Sequence, residues 1–398
     1  MTQKVLVIGC GIAGPALAIF LKRIGLEPII FEAEESPNDY AGLFLNLSRN
    51  GLRIADELGI ANEIVKEGYR MQIMRMYNGK GRLLGEISDR NKEVQGYTIK
   101  RRILHKLLRE QAERQGINIV FGKRLVDIQM SKNKVEVTFK DGTTISGDML
   151  VGCDGIHSKT RQCIFSDSPT PSYSGLISYG GFSTSKDLPY EHGVQNMIFG
   201  KKAFFGYVVK KSGEVYWFGN LTYEGSPTRR ELMSIPQEKW KKFIEELHID
   251  DPVPVRQIIS QTKGDIGVYP IYDILSQPIW YKGRAILIGD ALHATSPNAG
   301  QGAALALEDA MLLAKCVRDN SHLEEAFKTF EILRRERVER IVAYSRKIGQ
   351  KKYATNRVQV FFRDLMLPIF LKATNKQSLE WIYDYKIDWN SVITYSKQ

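Results

Sequence analysis

The chain has 398 residues, of which 43% are hydrophobic and 25% charged, the balance of a folded globular protein long enough for two or three domains. That composition excludes wholesale disorder, collagen-like repeats and a protein of many membrane spans. The formal net charge is +11, and much of it is local: between Arg346 and Lys376 there are eight basic residues against one acid, Asp364.

A basic balance invites nucleic acid, an anionic membrane surface or anionic small molecules such as nucleotides as partners. No zinc-finger spacing or basic heptad region speaks for nucleic acid, and none is expected as a partner. Cys10, Cys153, Cys163 and Cys316 are scattered without a C-x-x-C pair, which reads as reduced thiols in a cytoplasmic protein, and no metal site is expected. The apolar run Val5 to Leu21 imitates a signal peptide, but Gly9, Gly11, Gly14 and Pro15 interrupt it.

Taken in chain order, Lys4 to Gly9 is a short β-branched run of the kind that forms a buried parallel strand. Pro15 to Ile24 reads as a helix ended by Gly25, and Glu27 to Glu32 as a second strand, giving a βαβ unit at the start. Asn50 to Leu58 is a helix with Gly59 as its C-cap. Met71 to Ile87 alternates apolar and polar residues around Asn78-Gly79, a hairpin signal. Arg101 to Gln115 returns to helix, Lys134 to Met149 forms a second hairpin, and Leu150 to Asp154 is again a buried strand.

Ser172 to about Val268 is rich in aromatic and β-branched residues and predicts an antiparallel sheet with one helix near Gln237 to Leu247. Arg284 to Ile288 is a buried strand, Gln301 to Arg318 a helix, and Leu323 to Gly349 a long charged helix or helix pair. Phe361 to Leu371 is an apolar, helix-like segment broken at Pro368. It reads as a packed helix with a solvated basic face, the alternative being contact with an anionic membrane. The fold class is therefore α/β, with a Rossmann-type domain interleaved with an antiparallel-sheet domain and followed by C-terminal helices. The boundaries expected are 1–70, 97–171 and 269–345 for a discontinuous nucleotide-binding domain, 71–96 and 172–268 for a substrate domain, and 346–398 for a C-terminal helical segment.

Three motifs carry chemistry. In Gly9-Cys10-Gly11-Ile12-Ala13-Gly14, between a predicted strand and helix, the first glycine allows a tight turn, the second a close backbone approach to a pyrophosphate, and the third close helix–strand packing. Glu32, 18 residues beyond Gly14, ends the second strand and can accept the hydroxyls of an adenosine ribose; it would repel a 2′-phosphate, so FAD or NAD fits better than NADP. The second motif is the strand ending at Asp154-Gly155, where the plain alternative is that Asp154 caps the turn. The third runs from Gly283 to Ala310: a strand ends at Gly289-Asp290, and Gly300-Gln301-Gly302 opens a helix whose N–H groups could face a reduced cofactor ring. Asp290 could bond a ribityl or ribose hydroxyl, or simply cap.

These three blocks in this order, joined by Gly42 to Ile60 and by Arg101 with Leu104, resemble the FAD-dependent aromatic hydroxylases of the para-hydroxybenzoate hydroxylase type, the group A flavoprotein monooxygenases. The resemblance covers about Lys4 to Arg340. It implies that Gly9, Gly11 and Gly14, with Ile12 and Ala13 between them, hold the FAD pyrophosphate and that Glu32 holds the adenosine ribose. It further implies Arg101 at the pyrophosphate or ribityl region, a backbone contact of Leu125 with adenine, Asp154-Gly155 serving FAD and nicotinamide, and Asp290 on the ribityl side. Gly300, Gln301 and Gly302 would line the isoalloxazine ring and Pro297 the active-site wall. Arg49 departs from the family, which often has proline there. In such enzymes NAD(P)H reduces the flavin, O2 adds to give a C4a-hydroperoxide, and the distal oxygen passes to an aromatic or polycyclic substrate, in some relatives an antibiotic.

The hydroperoxide must be shielded from water, which calls for an apolar cavity. Phe182, Met197, Phe199, Phe204, Tyr207, Tyr216 and Phe218 are candidates, although most of them are expected simply to form the core of this sheet. No residue stands out as a general base, and His293 reads as structural. The competing readings are an FAD-dependent reductase and a non-catalytic FAD-binding module.

Overall fold

A computed structural model describes residues 3–37, 42–351, 357–373 and 379–393. The organising layer is a six-stranded sheet in the order 281–282, 285–287, 149–152, 4–8, 27–31, 118–120. All neighbours are parallel except the edge pair 281–282 with 285–287. Strand Lys4–Ile8 is apolar and buried from Val5 onward because it lies in the middle of this sheet with both faces covered. The helix Ala13–Arg23 is apolar all round, buried from Ala13 to Leu21 between the sheet and the helix Gly302–Asp319. It ends in a Schellman motif: Gly25, at φ +81°, donates to Lys22 O, and Leu26 donates to Leu21 O.

Strand order reverses beside Lys4–Ile8, whose neighbours are Glu27–Phe31 on one side and Met149–Gly152 on the other. The carboxyl ends of parallel strands at such a reversal leave a crevice, which is where ligands bind in open α/β sheets. The glycine motif, Cys153-Asp154 and Gly289-Asp290 all follow those carboxyl ends.

A seven-stranded sheet runs 262–273, 172–184, 214–222, 204–209, 194–199, 73–78, 83–88. The hairpin Ile73–Asn78 and Leu83–Ser88 therefore joins the same sheet as the 172–273 stretch, with 73–78 parallel to 194–199. Asn78 closes the hairpin turn, its Oδ1 accepting from the N–H groups of Lys80 and Arg82. One face of this sheet carries Ile177, Tyr179, Phe205, Trp217 and Leu221 into a core with Trp240 and Ile258. Smaller antiparallel sheets are formed by 44–47, 96–100 and 69–71, and by 144–147, 135–139 and 125–130.

Two expectations from the sequence are corrected here. Three helices, not one, cover the long sheet: Arg229–Ser234, Gln237–Leu247 and Val253–Ser260. The first carries a capping box in which Thr228 and Glu231 bond each other's backbone N–H, and the third begins Pro252-Val253-Pro254. The second correction is at Pro368. The helix Arg357–Ala373 passes through it: an interior proline removes one backbone bond and crowds the preceding turn, which can kink a helix without ending it. After the short helix Glu380–Tyr383, residues 384–393 are non-helical. This stretch packs back on the body, Trp389 meeting Phe20 at 5.0 Å between ring centroids.

Candidate active site

The glycine loop follows strand Lys4–Ile8, and its three glycines answer to three different constraints. A Cβ on Gly9, at φ +106°, would lie 2.5 Å from Cys153 O, and one on Gly14 would lie 2.0 Å from Gly9 O. A Cβ on Gly11 would meet nothing within 4 Å, because Gly11 borders open space. The Glu32 carboxylate ties this loop to the second strand: Cys10 N–H donates to it at 2.8 Å and Glu34 N–H at 3.1 Å. Burial and that carboxylate push the Cys10 thiol up to about 12, so it stays protonated.

Asp154 is nearly enclosed. Ser158 Oγ donates to one of its oxygens, and Thr160 N–H and Oγ1 donate to the other at 2.9 Å. Burial raises its pKa against those bonds. Its side chain thus anchors the start of helix Lys159–Ile164, while the flanking Cys153 and Gly155 line the cavity.

Behind the third motif lies a buried ion cluster. Asp309 Oδ2 accepts from Gly289 N–H at 2.9 Å and sits 2.5 Å from His293 Nε2. Arg334 bridges Asp309 and Glu308, and Arg337 forks onto Glu308 at 2.8 and 2.9 Å. Burial works against the Asp309 charge, but His293 and Arg334 outweigh it and hold the carboxyl at about 2. Glu308 also accepts from Asn50 Nδ2, which donates to Gln301 Oε1, and Gln301 Nε2 donates to Ser48 Oγ. The loop from Gly289 to Gly302 is therefore fixed from beneath by charges that never reach the cavity.

The cavity itself, about 360 Å3, opens where these loops face the long sheet. Gly11, Ile12, Ala13, Arg101, Asp290, Pro297, Gly300 and Gly302 line one side. Leu43, Phe44, Leu45 and Asn46 line another, and Ser178, Phe218 and Asn220 form the sheet wall, with Thr295 and Asn298 at the rim. Two helix N-termini reach the cavity, at Ala13 and Gly302, and neither has a side-chain cap. Their free N–H groups and dipoles make that side anion-seeking.

Of the remaining residues singled out in the sequence, most fall elsewhere. Gln301 is buried and faces Asn50 and Ser48, and Leu125 is buried in the main core. Of the aromatic candidates, Phe218 lines the cavity. Phe204 and Phe199 pack behind it in turn, tilted and edge-on, at 5.7 and 5.3 Å between ring centroids, and Met197 is paired with Gly206 beside them. Tyr216 and Phe182 pack on Phe44. Tyr207 pairs with Trp217 and packs on the opposite, helix-covered face. Asn220 and Ser178, which were not anticipated, sit directly opposite each other across two strands. The signal was available: Asn220 is two residues from Phe218, hence on the same face.

A family described as FAD binding domain matches residues 2–345. An aurachin C monooxygenase/isomerase of Stigmatella aurantiaca is 29% identical over 357 residues, covering 87% of this chain and 88% of the relative. A FAD-dependent urate hydroxylase of Mycolicibacterium vanbaalenii is 26% identical, covering 87% of each. The chain belongs to the FAD-binding family of flavoprotein aromatic monooxygenases. Among solved structures, Klebsiella pneumoniae HpxO complexed with FAD and uric acid superposes with a TM-score of 0.84 at 21% identity over 96% of this chain and 97% of that one. A salicylate hydroxylase substrate complex gives 0.78 at 21% identity over 97% and 96%.

The cavity of this flavoprotein fits its cofactor on physical grounds. The open space at Gly11, the two uncapped helix ends and the Arg101 cation together suit a pyrophosphate, and the Glu32 carboxylate stands at the end of the neighbouring strand.

Proposed function

We propose that the chain is a monooxygenase that uses NAD(P)H and O2 to hydroxylate an aromatic or polycyclic small molecule. The substrate is held between the Gly289–Gly302 loop and the Phe218–Asn220 wall. The observation that carries this reading is a single cavity with two unlike sides, an anion-seeking one built from glycines and free helix ends and a mostly apolar one built on a sheet. The activities of the relatives, a monooxygenase/isomerase and a urate hydroxylase, support the class. FAD, when bound and reduced, supplies the electrons that activate O2.

The chain's own residues have separate tasks. Gly9, Gly11 and Gly14 make room for the pyrophosphate, Arg101 and the helix ends meet its charge, and Glu32 and Asp290 accept from ribose and ribityl hydroxyls in this reading. Leu43, Phe44, Phe218 and Pro297 keep water from the reacting centre. Asn220 orients the substrate. Its Nδ2 is buried and has no hydrogen-bond partner, so it suits a substrate carrying a carbonyl, hydroxyl or ring-nitrogen acceptor. No histidine, lysine, glutamate or tyrosine lines the cavity among the described residues, so no general base is assigned.

The test is the visible spectrum of the desalted protein, recorded in air with NADH or NADPH and a panel of aromatic compounds beside an oxygen electrode. A flavin band that bleaches faster with one compound, with matching O2 uptake, is expected. Bleaching without O2 uptake would point to a reductase. A flavin band indifferent to both nucleotides would point to a non-catalytic module.

A further inference from the structure

The helix Arg357–Ala373 presents its apolar side outward. Phe361, Phe362, Leu365, Met366 and Ile369 are each more than half exposed. At 3.6 residues per turn these positions fall within an arc of about 140°. Five large apolar side chains on one arc exceed the scattered exposure normal for a surface.

The helix is pinned by its other side. Asn78 Nδ2 donates to Asp364 Oδ2 at 2.9 Å, and Arg82 donates to the Asp364 carbonyl at 3.3 Å. Arg363 donates to Phe199 O at 3.0 Å and lays its guanidinium over the Phe199 ring at 5.5 Å. The polar pair Arg363-Asp364 is thus spent on docking, Asp364 to the 73–88 hairpin and Arg363 to the end of strand 194–199, and the apolar arc is left to face out. This corrects the sequence reading of a packed helix with a solvated basic face.

The chain around this helix is strongly basic, with eight lysines and arginines against Asp364 between residues 346 and 376. A second copy bringing the same stretch to the same face would be repelled. An anionic surface would be attracted, because each basic residue close to a charged leaflet adds to the binding. No helix among the described residues is long and apolar enough to cross a bilayer. A short helix with an apolar arc and a basic setting lies in the plane of the interface instead.

We propose that the Arg357–Ala373 helix docks flat on an anionic lipid bilayer, with Phe361, Phe362, Leu365, Met366 and Ile369 in the boundary between headgroups and acyl chains. The surface is separate from the cavity and does not depend on which reaction the cavity performs.

The FAD-loaded full chain would be sedimented with vesicles of phosphatidylcholine mixed with phosphatidylglycerol, and with phosphatidylcholine alone. About tenfold stronger binding to the anionic vesicles is expected, weakened by salt. The variant carrying Leu365→Asp and Met366→Asp should lose that binding while keeping its flavin spectrum and melting temperature, since both positions are exposed. Failure of the unsubstituted chain to bind, unchanged binding by the variant, or equal binding to neutral vesicles would each overturn the proposal. So would light scattering that shows a lipid-free dimer which the variant splits, because a second copy would then cover the face.

Discussion

Asn220 shows how much one side chain can decide. The strand Glu214–Thr222 alternates between a helix-covered face and the cavity, so Trp217 and Leu221 are core while Phe218 and Asn220 are wall. A buried amide donor without a partner costs free energy until a ligand meets it, and a neutral hydrogen bond contributes about 1 kcal/mol net. Asn220→Leu keeps the volume and removes the donor. Its KM for an acceptor-bearing substrate should rise about fivefold with FAD affinity unchanged, which steady-state kinetics and flavin titration would check. An unchanged KM would take Asn220 out of the substrate's contacts. The same strand logic explains why the aromatic list could not be resolved from the sequence. Phe204, Tyr207 and Phe218 are alike in composition, and only cross-strand register separates the wall from the far face.

At the scale of elements, the helix Gly302–Asp319 does two jobs. Its N-terminus faces the cavity, and one turn and a half later Glu308 and Asp309 hold the loop that leads into it. Burial opposes the Asp309 charge, but His293 and Arg334 hold its pKa at about 2, below the usual value of about 3.9. A carboxylate depressed in this way contributes stability that is complete above about pH 4 and is lost as pH falls towards 2. Flavin release on acid titration should therefore steepen between those limits, and Asp309→Asn should flatten that part of the curve. The variant should also be less stable at neutral pH by about 3–5 kcal/mol, because Arg334 would be left buried with half its compensation; urea unfolding would measure this. Motif reading finds Gly300 and Gly302 from local pattern, whereas the Asn50–Gln301–Glu308 link joins residues more than 250 positions apart and has no local signature.

At the scale of the whole molecule, Arg49 joins three segments distant in sequence. Starting the helix Arg49–Glu57, its guanidinium reaches Asp89 after the 73–88 hairpin, at 2.6 Å, and forks onto Asp384 in the C-terminal stretch. The family departure noted at this position has a tertiary use: proline could make neither contact. The C-terminal stretch in turn bonds the cavity loop, Tyr383 OH donating to Ala299 O at 3.3 Å. Arg49→Ala should lower stability by about 2 kcal/mol, a value moderated by the partial exposure of both acids. It should also let protease trim the C-terminus before the core is cut, which a time course of limited proteolysis would show.

Local order in the sequence determined the nucleotide half of this protein. A buried strand, three spaced glycines, a helix and an acid at the end of the next strand each act within about 30 residues, where backbone sterics and helix ends fix the outcome. The alternation around Asn78-Gly79 likewise fixed a hairpin, because turn chemistry is local. Only the tertiary structure decided which face of each strand in the long sheet became the cavity wall, since alternation marks two faces without saying which is covered. It alone turned the Arg357–Ala373 helix polar side in and apolar side out. That outcome depends on Asn78, Arg82 and the Phe199 carbonyl, more than 150 residues away in the chain, offering better partners to Arg363 and Asp364 than water does.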